Sequence, residues 1–265
     1  MSKKKIAVVI PARYASTRFP GKPLVDIAGK TMIERVYAQA MKAKLVSDVL
    51  VATDDQRIYD AVKAFGGQVR MTRNDHPSGT DRLAEIATAH PELEIIVNVQ
   101  GDEPLIDPST IDAAVLPLVE DERTEMSTIA ARIREKEEIC NNTVVKVVRD
   151  ACGNALYFSR LPIPYYRESD DNDGQAHYAH IGLYVYRRDV LLKLASLPPT
   201  PLEKAEALEQ LRALENGINI RVVEVEKRSP AVDRPEDLKT VIKALEEAQT
   251  FVAPPVPGNS TIQLR

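Results

Sequence analysis

Five consecutive apolar residues, Ile6 to Ile10, run directly into the stretch Pro11-Ala-Arg-Tyr-Ala-Ser-Thr-Arg-Phe-Pro-Gly-Lys-Pro23. A run so short, so uniformly apolar and so rich in β-branched side chains reads as a strand buried on both faces, which belongs in a parallel sheet covered by helices. Open sheets of that kind form crevices outside the carboxyl ends of their strands, so the loop that follows is a candidate ligand site. Arg13, Arg18 and Lys22 fall within ten residues of one another, and Ser16, Thr17 and the loop amides add further donors. Such a concentration of cations and N–H groups suits a polyphosphate. Neither G-x-x-x-x-G-K-[ST] nor G-x-G-x-x-G occurs here, so the loop is not a P-loop and not a dinucleotide turn.

The chain beyond it alternates strand and helix. Thr31-Met-Ile-Glu34 has the form of a capping box, and Met32, Ile33, Val36, Ala40 and Met41 recur at helical spacing, which predicts a helix over 31–43. Val49 to Ala52 reads as a short buried strand, and Thr53-Asp54-Asp55 can cap a helix that stops at Gly66-Gly67. Gln68 to Met71 and Glu94 to Gln100 are further strands, separated by a helix over 81–90. Asp107-Pro108 opens another helix through Ile111, Val115 and Leu118. From Met126 the grammar changes. Strands at 126–132, 144–149, 155–160 and 178–186, with only short helical pieces between them, predict an antiparallel extension of the sheet. Helices over 188–195 and 202–215, a strand over 218–225 and a helix over 235–249 complete the pattern. The expected class is α/β, doubly wound and mostly parallel, with residues 1–125 as a nucleotide-binding core and 126–250 completing the same sheet. The polar run 168–174 reads as a mobile loop and 251–265, rich in proline, as a disordered tail.

With 265 residues and 44% apolar content the chain can bury a full core. A net charge of −4 argues against a general nucleic-acid binder, so the local basic clusters serve something small. Cys140 and Cys152 are too few for a disulfide framework and lack metal-site spacing; both are expected as buried filler in a reducing compartment. The apolar run after Lys3-Lys4-Lys5 is too short for a signal peptide, and no later stretch has the length of a membrane span, which leads to the expectation of a cytoplasmic protein with no membrane partner.

Two carboxylates carry the chemistry. Gln100-Gly-Asp102-Glu-Pro104 closes a buried strand, so Asp102 emerges at the same sheet edge as the basic loop. A carboxylate facing three cations is economically explained by a shared Mg²⁺ and phosphate, since Mg²⁺ is held by one or two carboxylates plus phosphate oxygens. Asp233, in Val232-Asp-Arg-Pro-Glu-Asp-Leu238, is a candidate second ligand, and a plain helix cap is the alternative. The loop Met71-Thr-Arg-Asn-Asp-His-Pro-Ser-Gly-Thr80 joins a strand to a helix and can present Arg73, Ser78 and backbone groups to a planar base.

The wording of Pro11 to Pro23 resembles the signature loop of sugar-activating nucleotidyltransferases, and within them it is similar to the CMP-KDO synthetases, or 3-deoxy-manno-octulosonate cytidylyltransferases. Val97-Asn-Val-Gln-Gly-Asp-Glu-Pro104 and the stretch 232–238 resemble that family's second and closing signatures. The resemblance spans roughly residues 6–238 and implies the fold of the nucleotide-diphospho-sugar transferases. It implies Asp102 and Asp233 as ligands of one or two Mg²⁺ ions, and Arg13 and Lys22, with Arg18 close by, as cations on the triphosphate of CTP. Arg73, Ser78 and Gln100 join the nucleotide side. Segments around Arg160, His180, Tyr184, Glu209 and Gln210 resemble those lining the pocket for the eight-carbon sugar acid. Bland alternatives stand beside these: His180 as a satisfied strand histidine, Glu209 and Arg212 as a pair along one helix. The implied reaction joins CTP and 3-deoxy-manno-octulosonate to give the CMP-sugar and pyrophosphate for lipopolysaccharide synthesis, and the implied assembly is a homodimer. The rivals are the same transfer onto another acidic sugar, and a non-catalytic nucleotide-binding regulator.

Overall fold

The structure is a computed structural model that describes residues 4–15, 19–167, 176–226 and 228–250. Arg18, the 168–174 run and the 251–265 tail of the sequence reading therefore lie outside the described residues. The first half alternates as its patterning requires. β1 (Ile6–Ala12) leads through a short hairpin of β2 (Asp26–Ile27) and β3 (Lys30–Thr31) to α1 (Met32–Ala40). β4 (Asp48–Thr53), α2 (Gln56–Ala64), β5 (Val69–Met71), α3 (Gly79–Ala89), β6 (Ile95–Asn98) and α4 (Pro108–Glu120) follow. Side-chain caps set the helix starts: the Thr31, Asp55, Ser78 and Asp107 oxygens accept from the amides of Glu34, Arg57, Asp81 and Ser109.

The second half contributes β7 (Met126–Arg132), α5 (Lys136–Cys140), β8 (Lys146–Arg149), β9 (Ala155–Ser159) and β10 (Tyr178–Arg187). It closes with α6 (Arg188–Ser196), α7 (Pro201–Glu206), α8 (Leu211–Glu215), β11 (Ile220–Val225) and α9 (Asp237–Thr250). Among the described residues the main sheet has the order β11-β7-β10-β6-β1-β4-β5, with β8 and β9 attached through β10. β10 alone runs against its neighbours on that path; the β1–β4, β1–β6, β4–β5 and β7–β11 pairs are parallel. The class is thus mixed α/β, a mostly parallel sheet with an antiparallel addition, and both halves of the chain supply strands to it.

Two apolar layers cover the sheet, because side chains alternate along each strand. Val8, Ile10, Val51 and Val97 pack with Ile33, Val62 and Val115 on one face, while Val9, Ala52, Ile96 and Tyr186 pack with Leu83, Leu191 and Leu211 on the other. A satellite of Ile27, Met32, Val232 and Val241 seats α9 against the hairpin and α1.

Two expectations fail. The helix expected over 202–215 is broken: α7 ends at Glu206, Ala207 turns left-handed with φ 50°, and α8 begins only at Leu211. Helical periodicity across the two pieces hid a break that no glycine or proline marks. Cys140 and Cys152 are exposed rather than buried. Cys152 lies in a surface turn where its amide donates to Asp150 Oδ1 at 2.8 Å, and Cys140 ends a five-residue helix with no buried residue.

Candidate active site

β1 is the point where the winding reverses: β4 lies to one side of it and β6 to the other. The loops leaving β1 and β6 therefore diverge from neighbouring strand ends and enclose a crevice, the position where such sheets bind ligands. The two loops meet closely, for a Cβ on Gly101 would lie 3.1 Å from the carbonyl oxygen of Pro11. The β1 loop is folded back on itself, with the Gly21 amide donating to Tyr14 O at 2.9 Å. Gly21 holds φ 74° and lies against the Tyr14 ring, so no other residue fits there without strain. Arg57 of α2 stacks over the Tyr14 ring, 3.3 Å from its centroid.

That fold aims Lys22 into the crevice. Its Nζ donates to Asp102 Oδ2 at 2.8 Å and lies 3.6 Å from Asp233 Oδ1. Asp102 and Asp233, 131 positions apart in sequence (233 − 102), thus flank a single cation position. Their backbones are stitched together, since the Val232 amide donates to Asp102 O at 2.9 Å. The turn ahead of α9 is fastened by Asp237, whose Oδ2 accepts from the Asp233 and Arg234 amides at 2.8 Å each. Two carboxylates converging on a position already filled by an ammonium fit a hard divalent cation.

Arg13 reaches from the β1 loop to the β5–α3 loop, donating to the carbonyls of His76 and, at 3.3 Å, Ser78. Arg73 stands exposed and forks onto Asp75 at 2.9 and 2.6 Å, and its contacts do not join it to the crevice. The Arg73 amide and the His76 ring both bond Glu85, which holds the loop onto α3. Beneath it Arg82, fully buried, pairs with Asp54 at 2.7 Å.

β10 brings the second half to the same edge. Because it is antiparallel, residues before Tyr184, which faces Asn98, pass beyond the carboxyl end of β6. There the strand bulges between Ile181 and Tyr184, and Gly182 O accepts from Gln100 Nε2 at 3.2 Å. His180 lies deep against Phe158 and Tyr184, and burial pushes its pKa down to about 3. The Thr128 hydroxyl donates to Leu183 O at 2.8 Å, so toward His180 Nε2, at 2.9 Å, it accepts, and the ring is neutral with its proton on Nε2. His180 still opens onto a cleft of about 740 Å³ shared with Glu103, Gly182 and Asp233. One nitrogen of this histidine is satisfied by Thr128 of β7, and the ring lines the crevice.

A separate inner cavity of about 110 Å³ is lined by Thr80, Asn98, Gln100, Tyr184, Tyr186, Glu209 and Gln210 among others. The break after α7 carries Glu209 and Gln210 into this cavity, which a continuous helix would not. Glu209 bonds Ser78 Oγ at 3.0 Å, and Arg212 pairs with Glu203 at 2.5 Å, so the helix-pair alternative for Glu209 is not what forms. Gln210 is 5% exposed and its Nε2 has no hydrogen-bond partner. A buried amide donor without a partner costs roughly 1–3 kcal/mol, a debt that a ligand oxygen in the cavity can cancel. Arg160 is differently employed: its guanidinium donates to the carbonyls of Glu206 at 2.7 Å and of Ala207 and Asn142 at 3.2 Å, holding the break in place.

Sequence reasoning missed several lining residues. Glu103 is buried, and burial next to Asp102 raises its pKa to about 8. Arg132, Arg134 and Arg228 line the 740 Å³ cleft with Asp233. The first two lie two apart at and just beyond the end of β7, a spacing that places them on one face and that the sequence does display.

An open α/β sheet with a cationic loop, paired carboxylates and a polar cavity at one edge defines a nucleotidyltransferase, and residues 7–227 match the family described as Cytidylyltransferase. The 3-deoxy-manno-octulosonate cytidylyltransferase of Solibacter usitatus is 57% identical over 238 residues, covering 90% of this chain and 93% of its own. That of Geobacter sulfurreducens is 55% identical over 249 residues, covering 91% and 99%. A solved structure of CMP:2-keto-3-deoxy-manno-octonic acid synthetase complexed with CTP superposes with a TM-score of 0.88 at 45% identity, covering 92% of this chain and 100% of that one. The chain belongs to the 3-deoxy-manno-octulosonate cytidylyltransferase family, the CMP-KDO synthetases.

Proposed function

We propose that this protein transfers the cytidylyl group of CTP to 3-deoxy-manno-octulosonate, releasing pyrophosphate, and that it depends on Mg²⁺ held by Asp102 and Asp233. The observation that carries the reading is Lys22 Nζ poised between those two carboxylates, 2.8 and 3.6 Å away, at the mouth of the crevice. The anomeric hydroxyl of the sugar attacks the α-phosphorus in line; its oxygen–phosphorus bond forms as the bond to the leaving pyrophosphate breaks, and the hydroxyl proton passes to water with no dedicated protein base. One or two Mg²⁺ ions, when bound, would supply Lewis-acid charge neutralisation at the phosphates and acidify the attacking hydroxyl. The chain's own part is positioning and electrostatics. Lys22 and Arg13 neutralise charge gathering on the leaving group; Arg18, outside the described residues, is assigned to the same role from its place in the loop sequence. Ser78 and Gln100 belong to the nucleotide side, and Arg73, whose fork is held by Asp75 in this structure, is assigned there on the resemblance of its loop alone. His180, Tyr184, Glu209 and Gln210 receive the sugar, and Arg160 holds the segment that delivers the last two. The cellular role that follows is activation of the sugar acid for lipopolysaccharide synthesis in the cytoplasm, by a homodimer.

The test is pyrophosphate release with Mg²⁺, CTP and 3-deoxy-manno-octulosonate, run beside UTP, GTP, ATP and a sialic acid. Release that requires both CTP and the octulosonate is expected. Release with CTP and only another sugar acid would overturn the sugar assignment, and silence with every pair would overturn catalysis.

A further inference from the structure

The Ser78 hydroxyl is asked to do more than one proton allows. Its Oγ lies 2.7 Å from Asp81 Oδ2 and 3.0 Å from Glu209 Oε1, and it accepts from the Asp81 amide at 3.3 Å. A hydroxyl has one donor and two acceptor sites. The shorter contact has the length of a hydroxyl donating to a carboxylate, and Asp81 sits in the first turn of α3, where the helix favours negative charge. With that proton spent on Asp81, the remaining acceptor site can meet Glu209 only if Glu209 itself brings a proton. The count then closes: one bond given and two received.

We propose that Glu209 enters the reaction as a neutral carboxylic acid, donating to Ser78 through Oε1, and that this uncharged state makes the inner cavity selective for a hydroxylated sugar over an amino-sugar. This rests on the assignment of that cavity to the sugar. Its other polar residues, Thr80, Asn98, Gln100, Tyr184, Tyr186 and Gln210, are uncharged in the ordinary pH range, so Glu209 decides the cavity's charge. An ionised Glu209 would attract an ammonium; a neutral one, its proton committed to Ser78, offers a sugar hydroxyl an uncharged acceptor through its other oxygen. Burial raises the Glu209 pKa; the contacts with Ser78 and Thr80 and the charge of Arg212 on α8 oppose this, the charge of Asp81 on α3 adds to it, and the net direction is upward. From β10 it meets the phenols of Tyr184 and Tyr186, both pushed far up by burial and so uncharged.

The first experiment needs no substrate. Infrared difference spectra of the full chain, wild type minus Glu209→Gln, at about neutral pH should show a protonated-carboxyl band belonging to Glu209 that gives way to a carboxylate band as the pH is raised. A carboxylate band alone at neutral pH overturns the proposal even if octulosonate is turned over, so failure here is distinct from failure of the proposed function. Should Glu209→Gln not fold, the acid band must shift in Ser78→Ala, which removes its acceptor; an unmoved band overturns the relay. In kinetics, KM for the octulosonate in wild type should rise about five- to tenfold as Glu209 ionises, while Glu209→Gln, which keeps the donor, stays flat with pH. An amino-substituted octulosonate preferred at neutral pH would also overturn it.

Discussion

Lys22 is the residue on which the nucleotide side turns, because in this structure its ammonium occupies the position between Asp102 and Asp233. Lys22→Ala should lower kcat by about 10²- to 10³-fold at saturating CTP, the loss expected for one preorganised charge-stabilising contact, measured as steady-state pyrophosphate release. Near-full activity in that variant would remove Lys22 from the chemistry. Gln210 tests the sugar side independently. Its unpartnered Nε2 in the inner cavity predicts that Gln210→Ala raises KM for the sugar by about tenfold and leaves KM for CTP unchanged. Arg160 belongs to a different kind of residue. Arg160→Ala should lower the melting temperature as well as activity, since its guanidinium serves backbone carbonyls of Asn142, Glu206 and Ala207.

At the scale of elements, the decisive local feature is the break between α7 and α8. Ala207 pays for it with a left-handed conformation, φ 50° and ψ 50°, which an alanine Cβ tolerates poorly. Ala207→Gly should therefore stabilise the protein by about 1 kcal/mol, and Ala207→Val should destabilise it by more, both read from thermal or denaturant unfolding. If valine were neutral there, the break would not be the strained feature described. The capping residues teach the complementary lesson. Thr31, Asp55, Ser78 and Asp107 are helix starts that can be read from short stretches of sequence, because the bond each makes lies within three residues of it.

For the whole molecule, His180 gives a pH dependence with a definite sign. Its folded pKa is about 3, below the ordinary 6.5, so between those values the unfolded chain binds a proton that the folded one refuses. Stability from this group is full above about pH 6.5 and is lost as the pH falls toward 3, with a slope of at most about 1.4 kcal/mol per pH unit. Unfolding midpoints of wild type and His180→Gln, followed through that window, should converge as the pH falls. The described residues contain no helix long and apolar enough to cross a membrane.

The local chemistry of the chain determined a good part of this protein. The five-residue run ending at Ile10, the alternation of strand and helix to Leu118 and the strand-rich stretch from Met126 each fix an element through nearest neighbours alone. That is also why the basic loop and Asp102 are legible as strand-end features in the sequence itself. What only the tertiary structure decided is which distant groups meet. Asp102 and Asp233 are joined by a backbone bond between Val232 and Asp102, and Glu209 meets Ser78 across 131 positions (209 − 78) because one helix breaks without a sequence signal. The cysteines lie at the surface instead, Cys152 in a turn whose amide bonds Asp150 and Cys140 at the end of a short helix that buries no residue. Periodicity reports the face a residue presents; the neighbour it finds there depends on how the sheet winds, and no local pattern carries that information.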